Sequence, residues 1–454
     1  MKLNFSFQNL ITIPDVTKGV SISDFEAAFP EAEKACKKFQ DEVASNKLGF
    51  YFLPDKQTDT IYDFVNRVSQ DFDTMVVLGI GGSALGSRAV YNALKTTKSL
   101  VNKIYVCDNV DPILLYEITE KIELKRTLFN VITKSGSTAE TISQFLIIHK
   151  ILRDAYQADY RKHLILTTDA EKGFLRRVAQ WENLPAFTVP DNVGGRFSVF
   201  TDVGLVPLAF AGVDINRLLE GAAAMRERCS TTDFMKNPAM IMALSHVLLF
   251  RKGFNVSVMM PYSNTLVDLA DWYRQLWGES LGKKLDLNGN LIRTGQTPAK
   301  SLGTTDQHSQ IQLYVEGPQD KIVTFLRVEN FKYDYTIPNV YPDEITTNFL
   351  ADRKLSDLLN TEQLATEIAL TDAGCPNCTI TLPELDEKYL GELIYLYEMA
   401  TVLAGSLLGI DPLDQPGVEA GKIATYALMG HPAYDEHKQK VETYKQERNA
   451  EYII

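Results

Sequence analysis

The stretch Met75–Val90, MVVLGIGGSALGSRAV, runs an apolar strand-type segment into glycines and then into a helix-type pattern. Without a Cβ, Gly81 and Gly82 let the backbone turn sharply and approach a ligand closely. Ser83 sets a hydroxyl beside the unpaired N–H groups of the helix start, and the whole reads as an anion cradle. A dinucleotide site is the obvious competitor. The spacing here is GxGGSxxG, however, and two acids, Asp108 and Asp111, stand where one is expected after the second strand.

A second stretch repeats the plan: FNVITKSGSTAETISQF, Phe129–Phe145, is again a strand, a polar turn and a helix. Ser135, Ser137 and Thr138 place three hydroxyls at a helix N-terminus whose partial positive charge favours a phosphate, and Lys134 belongs to the same turn. Glu140 stands about where a capping-box acid would. Capping needs only one hydroxyl, so three with a glycine among them point to phosphate binding.

Around these two loops the chain alternates between apolar runs and helical patterns. Runs at Met75–Ile80, Ile104–Cys107, Phe129–Thr133, Leu164–Thr167 and Phe187–Val189 are separated by segments such as Ala84–Leu94 and Thr138–Ala155. That alternation predicts an α/β doubly wound parallel sheet with ligands at the carboxyl ends of its strands. After a helical stretch at Val203–Phe250, strand-type Val256–Met260, Gln310–Val315, Ile322–Val328 and Thr379–Leu382 predict a second such sheet, with long helical patterns from Glu384 onward. The cluster PDNVGG, Pro190–Gly195, marks the boundary. The expected organisation is a helical segment at 1–50, two α/β domains at 51–195 and 196–430, and a helical tail at 431–454.

Composition bounds the function. A chain of 454 residues with 45% hydrophobic and 23% charged residues can bury two full cores, and no run of about 18 uncharged apolar residues suits a membrane span. The N-terminus, MKLNFSFQNLITIPDV, lacks the apolar core and cleavage site of a leader. Five cysteines fit a reducing compartment, with cytoplasm the default, and a net charge of −12 argues against nucleic acid. The basic pairs Lys125–Arg126, Lys283–Lys284 and Lys438 with Lys440 read as solvated helix faces. Cys375 and Cys378 form a CxxC that supplies half a zinc site, and the histidines lack ligand spacing, so neither a metal nor another cofactor is expected.

The two loops resemble those of the sugar isomerase domain, a phosphosugar-binding α/β module. Four further segments narrow the family. DNVGGRFSVFTDVGLVPLAFAGVD (Asp191–Asp214), RQLWGESLGKK (Arg274–Lys284), GTTDQHSQIQLYVEG (Gly303–Gly317) and LDQPGVEAGK (Leu413–Lys422) are similar to signatures of the glucose-6-phosphate isomerase family, shorter bacterial type, and run in its order. The resemblance implies reversible aldose–ketose isomerisation of a hexose phosphate through ring opening and a cis-enediolate. It assigns Glu279 as the base, Arg196 as the electrostatic stabiliser of the enediolate, and His308 with Lys422 to ring opening. It carries over Gln275 and Gln415 as substrate-contacting amides beside the phosphate-loop residues Gly82, Ser83, Lys134, Ser135, Ser137 and Thr138. It also implies a homodimer whose histidine comes from the neighbouring subunit.

The chemistry of the residues agrees. A single carboxylate can move the proton between carbons 2 and 1, and Glu279, between Trp277 and Leu281, stands in a locally uncharged stretch suited to partial burial. An isomerase of another hexose phosphate and a non-catalytic phosphosugar sensor remain open alternatives, because fold and phosphate cradles are separable from the chemistry. A nicotinamide-dependent dehydrogenase rests on the glycine loop alone.

Overall fold

A computed structural model describes residues 2–11, 19–231, 233–447 and 452. Twelve strands lie among them: β1 (Asn4–Ser6), β2 (Thr74–Leu78), β3 (Lys103–Cys107), β4 (Thr127–Thr133), β5 (Leu164–Thr168), β6 (Ala186–Thr188), β7 (Val256–Pro261), β8 (Lys283–Leu285), β9 (Leu291–Thr294), β10 (Thr297–Lys300), β11 (Lys321–Asn330) and β12 (Asn377–Glu384). The first sheet has the order β3-β2-β4-β5-β6 and is parallel throughout. Every residue of β2, β4 and β5 is buried, because helices cover both faces and leave no polar side to alternate with.

The second sheet has the order β1-β12-β11-β7-β10. Its four inner and far strands are parallel, while β1 pairs antiparallel with β12, Phe5 opposite Ile380. The segment expected to be purely helical at 1–50 therefore begins with an edge strand of the far sheet. β8 and β9 form a separate antiparallel hairpin. Gln310–Val315, expected as a strand, is instead the helix Ile311–Glu316. Its apolar residues Ile311, Tyr314 and Val315 fall three and four apart, which puts them on one helical face against the second sheet.

The predicted amphipathic helices near the N-terminus are Ile22–Ala27 and Phe29–Ala44. Ser21 and Asp24 close a reciprocal capping box on the first, each bond 3.0 Å. At the C-terminal end, Glu387–Leu407, Glu419–Leu428 and Asp435–Gln446 are helical as expected, and residues 448–451 and 453–454 of the expected tail lie outside the described residues. No helix among the described residues is long and apolar enough to cross a membrane.

Glu387–Leu407 is the axis of the molecule: nearly every one of its residues is buried. It crosses Ile215–Arg228 so closely that a Cβ on Gly391 or Gly221 would overlap a backbone carbonyl of the other helix, Leu218 and Lys388 respectively. These two glycines set the approach of the helices. One large hydrophobic cluster joins this helical layer to the inner faces of both sheets, and a smaller cluster covers the outer face of each.

Cys375 and Cys378 are buried and unpaired. Burial pushes both thiols up to about 12, and their sulfurs rest on Lys321 O (3.5 Å) and Thr324 Oγ1 (3.4 Å). They are protonated core residues rather than nucleophiles.

Glu398 on the central helix is fully enclosed, and neither carboxylate oxygen has a hydrogen-bond partner among the described residues. Burial holds its carboxyl well above the usual range, so the folded protein keeps it neutral. A group raised in the folded state contributes stability that is full below its unfolded value and is lost progressively as pH climbs from there to its folded value. Glu398→Gln is therefore expected to raise Tm, by about 2–4 °C at pH 8 and by less at pH 5, in thermal melts at the two pH values.

Candidate active site

β2 and β4 are hydrogen-bonded neighbours running the same way, Leu78 opposite Val131, so the turns that follow them emerge side by side at one edge of the first sheet. After β2 comes the short turn Gly81–Ser83 and the helix Leu85–Leu94; after β4 come residues 134–138 and the helix Ala139–Tyr156. The second turn gathers hydroxyls. Thr133 Oγ1 lies 2.7 Å from Thr138 Oγ1, Ser135 Oγ lies 3.3 Å from both, and the Ser137 amide donates to Ser135 Oγ at 3.3 Å.

Thr138 is the N-cap, yet its side chain makes no cap bond. Glu140 is two residues on, one short of the position from which a capping-box acid can reach back, so that expectation fails on register. The helix start thus keeps its free N–H groups beside exposed Ser135 and Ser137, which is the arrangement an anion requires.

Lys134 does not join the hydroxyls. Its half-buried ammonium donates to the carbonyls of Asp191 (2.7 Å) and Val193 (3.0 Å), tying this turn to the segment that leads into Arg196, and burial lowers its pKa. Gly82 has a similar structural duty. A Cβ there would overlap the Gly195 carbonyl, and Ser198 Oγ bonds both Gly82 O (3.1 Å) and Gly195 O (2.6 Å). The acids weighed for a dinucleotide are also spoken for: Asp108 pairs with Arg88, and Asp111 caps the helix Pro112–Lys121 through the Ile113 amide (2.8 Å).

Arg196 is the centre of the site. Only 1% exposed, it spends all five N–H donors inside the protein. Nε donates to Ser280 Oγ (2.7 Å); Nη2 donates to Pro412 O (2.6 Å) and Asp414 O (3.0 Å); Nη1 donates to Gln415 Oε1 and, at 3.4 Å, to Glu279 Oε2. Burial lowers its pKa and Glu279 opposes that shift, but a guanidinium stays charged.

Glu279 sits on the helix Val267–Leu281 with its side chain 30% exposed. Its other oxygen accepts from Gln275 Nε2 at 3.3 Å, one helical turn away. Gln275 Oε1 is buried with no partner among the described residues, and Gln275 lines an open cleft of about 500 Å³ with Leu85, Arg88, Asp271, Arg274 and Pro298. Arg196, Glu279, Gln275 and Gln415 are thus brought together from three distant segments.

His308 and Lys422 are not. His308 ends the turn Thr305–His308, exposed and with no hydrogen-bond partner among the described residues. The turn itself is fixed: Asp306 accepts from the Leu302 amide (2.7 Å), and Gln307 donates to Tyr262 OH and Thr366 Oγ1, each at 2.7 Å. Lys422 is exposed on the helix Glu419–Leu428 and bonds Glu419 (2.8 Å) rather than the Arg196 cluster. One turn on, Tyr426 OH donates to Ser137 O at 3.4 Å, which lays this helix over the second turn of the first sheet.

Lys283, read from the sequence as part of a solvated helix face, is a buried residue at the start of β8. Its ammonium caps the last carbonyls of the Glu279 helix at Glu279 O (2.7 Å) and Ser280 O (3.0 Å). The signal was available: a lysine just past a helix-ending glycine is placed to satisfy such carbonyls. Gly82→Ala would force the first turn away from Gly195. It is expected to cost about 1–3 kcal/mol of stability and turnover on the order of 10- to 100-fold, measured by thermal melts and by initial rates on hexose phosphate.

The Phosphoglucose isomerase family matches residues 60–449. A glucose-6-phosphate isomerase of Carboxydothermus hydrogenoformans is 42% identical over 98% of this chain and 99% of its own, and one of Rubrobacter xylanophilus is 41% identical over 95% and 99%. Among solved structures, a hypothetical protein of Thermus thermophilus superposes with a TM-score of 0.84 at 34% identity, covering 94% of this chain and all of the other. A glucose-6-phosphate isomerase of Chlamydia trachomatis gives 0.81 at 23% identity over 94% and 90%, which speaks for the fold. With two phosphate-type turns, a buried arginine on a helical carboxylate and nearly the whole chain matched, the protein belongs to the phosphoglucose isomerase family.

Proposed function

We propose that Glu279 is the base of this enzyme, an aldose–ketose isomerase that interconverts glucose 6-phosphate and fructose 6-phosphate. The observation that carries the reading is the Arg196 cluster: a cation with every donor engaged, held at the oxygen of a partly exposed carboxylate. The phosphate is held by Ser135, Ser137 and Thr138 with the free N–H groups of the helix behind them, and by Ser83 and Gly82 of the neighbouring turn.

Ring opening needs a proton delivered to the ring oxygen and one removed from the hydroxyl on carbon 1, the work assigned to His308 and Lys422. Glu279 then takes the proton from carbon 2, the electron pair moves into the carbon 1–carbon 2 bond and the carbonyl oxygen becomes an enediolate oxygen. Arg196 lowers the energy of that anion by its fixed charge. The hydroxyl proton on oxygen 2 then passes to oxygen 1, and Glu279 returns its proton to carbon 1 as the carbon 2 carbonyl forms, which gives the ketose. Gln275 has an acceptor without a partner, which a sugar hydroxyl would satisfy.

The residues of 51–195 and 196–430 are read as two sugar isomerase domains, each sheet having its own outer-face core. A homodimer with shared sites is supported by the lone exposed His308 and by the 331–355 excursion, which exposes Tyr333, Tyr335, Val340, Tyr341, Ile345 and Phe349. Five unpaired thiols suit a reducing cytoplasm.

In metal-free buffer, wild type is expected to form fructose 6-phosphate from glucose 6-phosphate with solvent deuterium entering the sugar. Glu279→Gln is expected to lose about 10²–10⁴-fold in turnover while still binding the phosphosugar. Binding without turnover by wild type would favour a phosphosugar sensor instead. Mixing Glu279→Gln with His308→Ala subunits, each inactive alone, is expected to restore activity after subunit exchange; no restoration would place the histidine in its own chain's site.

A further inference from the structure

Lys283 follows Glu279 by four residues and is 8% exposed. A buried ammonium is unfavourable unless its donors are met, and here they are met from two segments that are 131 residues apart. Beyond the Glu279 and Ser280 carbonyls, Nζ donates to Asp414 O at 2.9 Å and lies 3.3 Å from Asp414 Oδ1. Asp414 O also receives Arg196 Nη2, so its two lone pairs join both buried cations. The next residue, Gln415, accepts from Arg196 Nη1, the same nitrogen that meets Glu279. Lys283 and Arg196 thus form two stitches across one seam, between the last turn of the Glu279 helix and residues 412–415.

We propose that Lys283 is a positioning residue for the carboxylate base: its ammonium ties the last turn of the Glu279 helix to Asp414 and so fixes Glu279, Arg196 and Gln415 in one geometry. This rests on the reading of Glu279 as base. An apolar side chain of the same length would fill the space, but only a cation with three donors can hold carbonyls from both sides of the seam. A carboxylate free to shift by an ångström loses alignment with the carbon it deprotonates, whereas the phosphate turns follow β2 and β4 and bond to neither Lys283 nor Asp414.

The test is a kinetic split in Lys283→Met, with Asp414→Ala beside it. Lys283→Met is expected to lower kcat on the order of 10- to 100-fold with KM little changed. Asp414→Ala removes the outer, 55% exposed carboxylate and is expected to lower kcat by a few-fold, and the double variant should be no slower than Lys283→Met because both act through one stitch. A lowered Tm with kcat per folded molecule unchanged, or a change confined to KM, would overturn the proposal. Should Lys283→Met fail to fold, Lys283→Gln, which cannot reach both sides of the seam with three donors, takes its place, and unchanged kcat there overturns the proposal equally. Glu279→Gln separates the two readings: if it stays active the base assignment fails, and if it is dead while Lys283→Met keeps full kcat, only the role of Lys283 fails.

Discussion

A guanidinium with 1% exposure has to find a partner for each of its N–H groups, and meeting that demand organises the site. Arg196 draws its five acceptors from a serine and a glutamate on the helix Val267–Leu281 and from three residues of 412–415. Its own position is set in turn by the turn Gly195–Phe197, which can sit where it does because Gly82 has no side chain to oppose it. The first-sheet turn, the helix Val267–Leu281 and the C-terminal segment therefore converge on one charge. Removing that charge would leave buried carbonyls unpaired and Glu279 without its cation, a larger loss than the bonds themselves are worth.

The two sheets divide the work physically. The parallel pair β2 and β4 delivers both glycine-containing turns to one edge, where helix N-termini supply donors for an anion. On the reading of Glu279 as base, the carboxylate and the fixed positive charge for proton transfer come from the helix Val267–Leu281 and the Arg196 turn. Lys134 links the two halves, since it holds the carbonyls of Asp191 and Val193 just upstream of Arg196. It contributes to the site through that tether, although the sequence suggests a direct phosphate contact.

Most of the strands were legible because both faces of a parallel sheet are buried, leaving continuous apolar runs such as those of β2, β4 and β5. What escaped was short or marginal. β1 and β10 are edge strands of three and four residues, with Pro298 in the second, and too brief to show a period. Ile311–Glu316 has the apolar content of a strand, and only its three- and four-residue spacing reveals a helix. The candidate site residues were read as motifs, but the bonds among them were not. That Asp414 receives two cations depends on a contact between residues 131 apart that no local pattern encodes.

The C-terminal stretch shows how unevenly the site is held. Up to Gln415 the chain is clamped by Arg196 and Lys283. From Pro416 the helices Glu419–Leu428 and Asp435–Gln446 bury only Ala427 between them, and pack chiefly on each other through Tyr426, His431 and Tyr434. Gln415 and Lys422, seven residues apart in one motif, are therefore governed by different forces. Gln415 is placed by the buried cation, whereas Lys422 is placed by its own helix, which meets the phosphate turn at the Tyr426–Ser137 contact. The amide is fixed beside Glu279, and the lysine's helix rests on the hydroxyl-bearing second turn. The second turn carries the backbone on which the lysine's helix rests, while the geometry around Glu279 stands on the bonds of Arg196 and Lys283.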